Sequence, residues 1–351
     1  MIVVVAPYPT KKNERDGYFQ RINAVEKSLL DFQRIYLEIA FFGNWMISKE
    51  KPSANLEIYR LNYFLHFPYI LYLGSKAARI YVHAITNVFK ILPLYFFKPI
   101  FTDLHGIAPE EARMEGRHLR AVIHSISEYI VVKWSQKVVI VTRRMGSFIQ
   151  QKYSKFKINF LHIPIFNTLF LSDVPFKDQH KDKPLIIYSG GVHSWQNLEK
   201  MVEAAERLIG NFKFLFLVSD VEVMKGKFKN QALLEKVEVK SVSRNEISHY
   251  YEKADFGFLL REDNPVNQVA CPTKIIEYVS FGIIPILLQP KIGDFQELGL
   301  KFILLDDLYN NPEVSRFNLD QMREQNLNIL YKMKQECEEG LNLLREQIAQ
   351  T

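Results

Sequence analysis

Cysteine and the best-known nucleotide motifs are nearly absent from this chain of 351 residues. Its two cysteines, Cys271 and Cys337, form neither a disulfide framework nor a metal-binding spacing, which predicts a reducing cytoplasm. The Gly-x-Gly-x-x-Gly fingerprint, the Gly-x-x-x-x-Gly-Lys-Ser/Thr loop and the Gly-x-Ser-x-Gly elbow do not occur. Dinucleotide oxidoreductases, P-loop enzymes and α/β-hydrolases are therefore disfavoured.

Long hydrophobic runs are missing as well. No stretch without a formal charge exceeds fifteen residues, whereas a spanning helix needs about 20 apolar residues. The amino terminus, MIVVVAPYP, lacks the basic flank and the cleavage site of a secretory signal and predicts a buried first strand. We expect a cytoplasmic protein whose contact with a membrane, where there is one, is at the inner face.

The net charge of +6 is unevenly distributed. Residues 1–170 hold 23 Lys and Arg against 12 Asp and Glu, and the remainder holds 22 against 27. The basic first half predicts an anionic partner, such as a membrane surface, a phosphorylated acceptor or nucleic acid, and the alternative is a solvated basic face. Since neither an RNA-binding aromatic motif nor a helix-turn-helix pattern occurs, we do not expect nucleic acid.

Aromatic and basic residues alternate within this first half. Such a mixture suits a lipid headgroup interface and predicts peripheral membrane contact, the alternative being that the aromatic rings belong to the core. The residues are Tyr63, Phe64, Phe67, Tyr69, Tyr72, Tyr95, Phe96 and Phe97 with Lys76, Arg79, Lys90 and Lys98.

Short runs of Val, Ile and Phe alternate with segments of helical periodicity, and the alternation occurs twice. This predicts an α/β fold with two domains built on parallel sheets. We expect domains at 1–170 and 171–325, a linker within 165–184, and a carboxyl-terminal helix at 326–351 that can pack back on the first domain. The predicted strands are 2–6, 35–42, 99–104, 137–142, 159–163, 185–189, 213–218, 237–242, 255–260 and 284–288. The predicted helices are 20–32, 110–135, 197–209, 245–252 and 273–281.

Ligands of parallel sheets bind outside the carboxyl ends of the strands. In the first half, Asp16-Gly17 and Asp103-Leu104-His105-Gly106 follow predicted strands. In the second half, Gly190-Gly191 and Arg261 do. A glycine pair before a helix lets backbone N–H groups approach a phosphate, although a plain turn is the alternative.

The segment from Pro272 to Gly282 predicts a helix of about ten residues, since proline suits its first turn and glycine its carboxyl end. Lys274 and Glu277 then share one face. A helix amino terminus with a nearby cation suits a diphosphate, and a carboxylate one turn later can accept hydrogen bonds from a ribose diol. An exposed ion pair is the alternative.

Three motifs resemble one family. Pro272-Thr273-Lys274-x-x-Glu277-Tyr278-x-x-x-Gly282-x-x-Pro285 resembles the donor-site signature of the retaining GT-B glycosyltransferases of the family 4 type. Tyr188-Ser189-Gly190-Gly191 resembles the first strand of the family's donor domain, and Asp103-x-His105-Gly106 resembles its acceptor-side loop.

The resemblance implies the GT-B fold, with two facing Rossmann-like domains and an interdomain cleft. It implies a nucleotide diphosphate sugar as the donor substrate, with no cofactor and no metal. The acceptor would be a glycan or a polyprenyl-phosphate-linked sugar, as in cell-surface polysaccharide biosynthesis. The implied site comprises His105 and Arg261 for catalysis, Gly190, Gly191, Pro272, Thr273, Lys274 and Glu277 for the donor, and Asp16, Gly17 and Asp103 on the acceptor side.

Two positions depart from the family pattern. Members commonly carry a glutamate where this chain has Val269, and often a lysine where it has Gln196. Arg261 and Lys274 could supply the missing positive charge. The departures favour the alternative function, a non-catalytic GT-B protein that binds sugar nucleotides or supports an assembly.

Overall fold

The computed structural model describes residues 1–10, 13, 17–166, 183–192 and 196–350, and these form two compact units. Unit 1 comprises Met1–Ile165, Val269–Cys271 and Gln335–Thr351, and unit 2 comprises Phe166–Gln268 and Pro272–Lys334. Most of the predicted linker, 165–184, lies outside the described residues.

Unit 1 is built on an eight-stranded sheet. Its strands are β1 (Ile2–Val5), β2 (Arg34–Ala40), β3 (Ser48–Ser53), β4 (Leu56–Asn62), β5 (Arg79–His83), β6 (Ile100–Leu104), β7 (Lys137–Ile140) and β8 (Phe160–His162). Their order is β3-β4-β2-β1-β5-β6-β7-β8, and every pair is parallel except β3 with β4. The helices are α1 (Gly17–Ser28), α2 (Phe67–Ser75), a 3-10 helix (Ile85–Phe96), α3 (Ala108–Met114), α4 (His118–Trp134) and α5 (Arg143–Lys152).

Unit 2 is built on a six-stranded parallel sheet. Its strands are β9 (Leu185–Gly190), β10 (Lys213–Val218), β11 (Glu238–Lys240), β12 (Phe256–Leu259), β13 (Ile284–Leu287) and β14 (Ile303–Leu304), in the order β11-β10-β9-β12-β13-β14. The helices that follow β9 are α6 (Leu198–Leu208), α7 (Val221–Lys225), α8 (Gln231–Leu234), α9 (Arg244–Lys253), α10 (Pro265–Val269), α11 (Thr273–Ser280), α12 (Leu305–Asn310) and α13 (Leu319–Ala349), with a 3-10 turn at Val314–Arg316.

All ten predicted strands are present, and four further strands were missed. β3 is fully exposed and rich in lysine, while β4 and β5 each carry charged residues among their apolar ones. β14 has only two residues. Apolar runs therefore predict most of the strands, including the edge strands β8 and β11, and overlook strands that are very short or whose apolar residues alternate with polar ones.

The single helix predicted over 110–135 is wrong. The segment forms α3 and α4, and Gly116 separates them with a φ of +72°. Glycine adopts this left-handed conformation without the steric cost that a side chain would add. The helical period continues on both sides of Gly116, which is why the pattern reads as one helix.

The predicted aromatic surface of unit 1 is divided between core and solvent. Tyr95 is buried, and its hydroxyl lies 2.9 Å from Thr102 Oγ1, so for this residue the core alternative is correct. Phe64, Phe96 and Phe97 are exposed. Among the described residues, no helix combines the length and the apolar character needed to cross a bilayer.

Candidate functional site

The carboxyl ends of β5 and β6 lie side by side in unit 1 and bring two histidines and an aspartate together. His83, the last residue of β5, is paired in register with Asp103 of β6, and His105 follows that strand. Strands with parallel neighbours present their carboxyl ends at one edge of the sheet, where ligands of such sheets bind.

Asp103 is the fixed charge of this cluster. It is fully buried, and its two oxygens accept hydrogen bonds from Arg21 Nε at 2.9 Å and Nη2 at 3.1 Å. The Tyr81 hydroxyl donates to Oδ2 at 3.0 Å. Burial alone would raise the pKa of Asp103, but the Arg21 guanidinium and His105 outweigh it, so the pKa lies well below its usual value. Asp103 is thus a buried anion that holds the surrounding side chains in place.

The two histidines differ in exposure. His83 is fully buried, and burial lowers its pKa to about 4, so the ring is neutral near pH 7. Its Nδ1 lies 3.5 Å from Asp103 Oδ2 and 3.4 Å from His105 Nε2. His105 is 17% exposed and its ring lies 5.2 Å from that of Tyr18. His105 is therefore the member of the cluster that a ligand can reach.

His83, Asp103 and His105 are also the group of side chains, among those described, whose ligand atoms are close enough to hold a metal ion, all within 4.8 Å of one another. Arg21 already occupies both oxygens of Asp103. A divalent cation would have to displace those hydrogen bonds and lie beside a guanidinium, which like-charge repulsion opposes. The cluster fits the role of a hydrogen-bonded support better than that of a metal site.

A cavity of about 300 Å³ opens beside His105, entirely within unit 1. Ala84 lines it and has φ 60° and ψ 149°, a backbone conformation that residues with side chains rarely adopt. Strained residues of this kind persist where the surrounding structure fixes them, often at binding sites. The lining residues are Tyr18, Ala84, Ile85, Thr86, His105, Gly106, Ala108, Glu111, Ala112, Glu115, Arg117, Arg120 and His124.

In unit 2, helix α11 lies against the carboxyl ends of β9 and β12. The Tyr278 hydroxyl accepts a hydrogen bond from Ser189 N at 3.3 Å and donates to Phe258 O at 3.4 Å. A Cβ atom on Gly257 would lie 2.5 Å from the Tyr278 ring, so glycine permits this approach. The helix begins at Thr273 after Pro272 and is followed by Gly282 at φ +65°, as the sequence predicts.

Glu277 contacts its neighbouring side chains through one of its two carboxylate oxygens. Its Oε2 accepts hydrogen bonds from Lys274 Nζ at 2.9 Å and from the Tyr251 hydroxyl at 3.0 Å. Within the described parts of the chain, Oε1 has no hydrogen-bond donor. Lys274 and Glu277 therefore form an ion pair, but a half-buried one with 22% and 15% side-chain exposure and not the exposed pair of the alternative, and one carboxylate oxygen can still accept from a ligand.

Gly190, Gly191 and Arg261 lie around Tyr188. The Tyr188 hydroxyl donates to Gly191 O at 2.6 Å, and a Cβ atom on Gly190 would lie 2.7 Å from it. Arg261 Nη1 lies 3.5 Å from Asn267 Oδ1, and Nε is buried without a partner in the described structure. Burial lowers the pKa of Arg261. No carboxylate of a described residue pairs with this guanidinium, which suits it to an anionic ligand.

The other positions that the sequence singled out do not take part in these contacts. Asp16 lies outside the described residues, and Gly17 begins α1. Val269 is buried, and its carbonyl accepts a hydrogen bond from Thr142 Oγ1 at 2.7 Å, within unit 1. Next to Gln196, the Asn197 side chain donates to Leu260 O at 2.7 Å.

Sequence reasoning missed Arg21, Tyr81, His83 and Tyr251. Arg21 is 82 positions from Asp103 along the chain, so no local pattern joins them. The end of β5 would have pointed to His83, but that strand itself was missed. Tyr251 lies in a predicted helix without any signal that its hydroxyl reaches Glu277.

No protein-family model matches the sequence, and no curated protein does. Solved structures match over the whole length. The chain has the GT-B fold. A sucrose-phosphate synthase from Thermosynechococcus elongatus matches with a TM-score of 0.71 at 13% identity, over 100% of this chain and 99% of that chain.

Two further matches were determined with ligands. An E. coli trehalose-6-phosphate structure bound with UDP-2-fluoro glucose has a TM-score of 0.68 at 12% identity, over 100% and 99% of the two chains. An alpha,alpha-trehalose-phosphate synthase (UDP-forming) from Burkholderia xenovorans in complex with glucose-6-phosphate has a TM-score of 0.65 at 11% identity, over 99% and 100%. At such low identity these matches establish the fold, and the resemblance to the family 4 type stays a prediction.

Proposed function

We propose that the protein is a glycosyltransferase that moves a sugar from a nucleotide diphosphate donor to a hydroxyl of an acceptor with retention. The observation that carries the proposal is the carboxyl edge of the unit 2 sheet. There Glu277 lies on a helix that Tyr278 holds against the strand ends, and among the described residues one of its carboxylate oxygens has no donor and the half-buried Arg261 guanidinium has no acidic partner.

Each part of the donor has a matching group. The free oxygen of Glu277 accepts hydrogen bonds from the ribose hydroxyls. The first N–H groups of α11, at Thr273 and Lys274, have no partner within the helix and can donate to the diphosphate together with the N–H groups of Gly190 and Gly191. When the bond between the anomeric carbon and the diphosphate breaks, Arg261 and the helix amino terminus stabilise the charge on the departing phosphate. These groups do this without requiring a metal ion.

We assign His105 a contact with the transferred sugar. Asp103, fixed by Arg21, keeps the imidazole oriented, and the ring is reachable from the cavity of unit 1. From there His105 can hydrogen-bond a hydroxyl of the transferred sugar. Asp103 is therefore a positioning residue, because it is fully buried and does not itself reach a ligand.

The decisive experiment compares Glu277→Ala with Glu252→Ala, an exposed carboxylate on the neighbouring helix α9. We expect isothermal titration with a panel of nucleoside diphosphates to show binding that Glu277→Ala weakens by about 1.5 to 3 kcal/mol, since a hydrogen bond to a charged group is lost. Glu252→Ala should bind like the wild type. A folded Glu277→Ala protein with unchanged nucleotide affinity would contradict the donor-site assignment.

Catalysis itself is tested by product release. If the wild type binds sugar nucleotides but releases no nucleoside diphosphate with any acceptor offered, the non-catalytic GT-B alternative is correct. That alternative is favoured by Val269 and Gln196, which stand where the family pattern has charged residues.

We also propose that unit 1 contacts an anionic membrane surface. Helix α4 exposes apolar side chains at a helical spacing, with Leu119 77% and Val122 56% exposed, followed by Ile126 and Tyr129. Lys133 continues the same face, with its Nζ 4.4 Å from the ring centre of Trp134. Apolar and basic residues on one helix face suit the headgroup region, and the positive balance of residues 1–170 adds attraction to anionic lipid. A polyprenyl-phosphate-linked acceptor, as in cell-surface polysaccharide biosynthesis, would then lie at the same surface.

Co-sedimentation with vesicles tests the membrane proposal. We expect the wild type to bind phosphatidylglycerol vesicles at low salt, to dissociate as salt rises, and to bind phosphatidylcholine vesicles weakly. A Val122→Ser/Ile126→Ser protein should lose binding, whereas Val223→Ser/Leu343→Ser, which changes two exposed apolar residues elsewhere, should keep it. Absence of binding to anionic vesicles at low salt would refute the contact and leave a dissolved acceptor.

A further inference from the structure

The cavity beside His105 contains two charged side chains that do not pair with each other. Glu111 lines it from α3 and Arg120 from α4. Its volume of about 300 Å³ is at the lower end of small-molecule sites, which span about 300–1,000 Å³. We infer that this cavity binds the acceptor as a single sugar unit bearing one anionic group, with Glu111 accepting from its hydroxyls and Arg120 pairing with its anion. The inference rests on the proposed glycosyltransferase function.

The Glu111 carboxylate has no hydrogen-bond donor among the described residues. Its side chain is half-buried and accepts no hydrogen bond from the described residues. Burial raises its pKa, the nearby carboxylates of Glu115 and Glu110 raise it further, and the positive charge of Arg120 lowers it in part. The carboxylate lies against Gly106, where a Cβ atom would be 2.2 Å from Oε1, so glycine leaves room for it at the cavity wall. Sugar hydroxyls would supply the missing donors.

Arg120 is the cation of the cavity that retains free donors. Its Nε donates to His124 Nε2 at 3.1 Å, which orients the guanidinium, and no described residue accepts from its two Nη groups. Arg117, by contrast, forms an ion pair with Glu115 at 3.3 Å. Because a guanidinium presents parallel N–H groups, Arg120 can hold a phosphate or a carboxylate through two hydrogen bonds.

The opposite charges of Glu111 and Arg120 indicate the class of the ligand. Glu111 and Arg120 line one cavity, yet their charged atoms do not come within the 4.0 Å of a salt bridge. His105 and the strained backbone of Ala84 line the same cavity. A ligand that satisfies both must present hydroxyl donors to the carboxylate and an anion to the guanidinium at the same time, and a phosphorylated or carboxylated sugar does so.

Binding is measured without any nucleotide, so that the outcome is separate from that of the donor site. The probes are a neutral hexose, the corresponding hexose phosphates and the hexuronate, followed by titration calorimetry and by ligand-observed NMR. A short-chain polyprenyl diphosphate hexose in detergent micelles distinguishes a lipid-linked acceptor from a dissolved one. We expect the anionic sugars to bind at least about tenfold more tightly than the neutral hexose.

Three variants assign the roles. Arg120→Gln should remove the preference for the anionic sugars, weakening them about 10- to 100-fold while leaving the neutral hexose unchanged. Glu111→Gln should weaken neutral and anionic sugars alike. Arg113→Gln, an exposed arginine on α3 that does not line the cavity, is the matched control and should bind like the wild type. Thermal unfolding midpoints confirm that each variant is folded.

Equal affinity for neutral and anionic sugars, absence of sugar binding at millimolar concentration, or an unchanged preference in Arg120→Gln would each overturn the inference. A protein that binds nucleoside diphosphates through Glu277 but fails these sugar tests would overturn the cavity assignment alone. A protein that passes the sugar tests but binds no nucleotide would overturn the donor site and leave the cavity as a sugar site of another function.

Discussion

His83 is a fully buried titratable side chain at the carboxyl edge of the unit 1 sheet. Its pKa falls from 6.5 to about 4 because burial disfavours the charged ring, even though Asp103 lies 3.5 Å away. Between these two values the unfolded chain binds a proton that the folded chain does not. Acidification through this range therefore destabilises the fold, and the effect is complete below about pH 4.

We accordingly expect His83→Asn to flatten the dependence of stability on pH. Denaturant titrations at intervals from pH 7 to 4.5 should show that the wild type loses up to about 1.4 kcal/mol more per pH unit than the variant does below pH 6. His118→Asn, which replaces an exposed histidine at the start of α4, should follow the wild type. Parallel curves for the wild type and His83→Asn would show that His83 is not held neutral.

At the scale of elements, the turn between α3 and α4 determines where the cavity residues lie. Gly116 follows α3 with a φ of +72°, and Arg117, the next residue, is the N-cap of α4. Two of the residues that line the cavity, Glu111 and Arg120, stand on opposite sides of this turn. The left-handed glycine is thus a condition for bringing them into one space.

Replacing this glycine should be costly. We expect Gly116→Ala to lower the free energy of unfolding by about 1 kcal/mol or more, because alanine is strained at a positive φ. Gly210→Ala is the matched control, since a Cβ atom there meets nothing within 4 Å and the backbone is not left-handed. Urea denaturation of the two proteins decides the matter, and equal stabilities would contradict the role given to the turn.

Local sequence predicted the buried elements well and the contacts between distant elements poorly. The signature around Glu277 could be read directly, because Lys274, Glu277 and Tyr278 are close in sequence and share one short helix. The ion pair of Arg21 with Asp103 could not, because it joins α1 to β6 across the fold. The polar residues Arg79 and His83 at its two ends also hid β5 from a search for apolar runs.

At the scale of the molecule, the two units hold different candidate sites. The residues proposed to bind the nucleotide belong to unit 2, and the cavity beside His105 belongs to unit 1. The two halves of the chain also differ in charge, with the excess of basic residues in positions 1–170. A nucleotide and an acceptor sugar should therefore protect separate sets of backbone amides from hydrogen exchange.

Hydrogen exchange measured by mass spectrometry tests this division. We expect a nucleoside diphosphate to slow exchange mainly in peptides that cover β9 and α11, since bound ligand suppresses local opening. An anionic sugar should slow exchange mainly in α3 and α4. Titration with inorganic sulfate serves as the control for nonspecific ionic effects. Protection by the nucleotide confined to unit 1 would contradict the assignment of the two sites.

The backbone of Ala84 has a consequence for how the protein would respond to selection for heat resistance. A conformation that glycine adopts more easily costs an alanine about 1–3 kcal/mol, so an Ala84→Gly chain would relieve a local conflict and gain part of that energy. The same change would free the peptide that follows β5 to adopt other directions, and the wall next to His105 would lose its fixed shape. A screen that selects only for a higher melting temperature would therefore recover proteins that are more stable and bind ligand in the cavity less well. At Ala84 the same strained backbone lowers the stability of the fold and fixes the shape of the cavity wall.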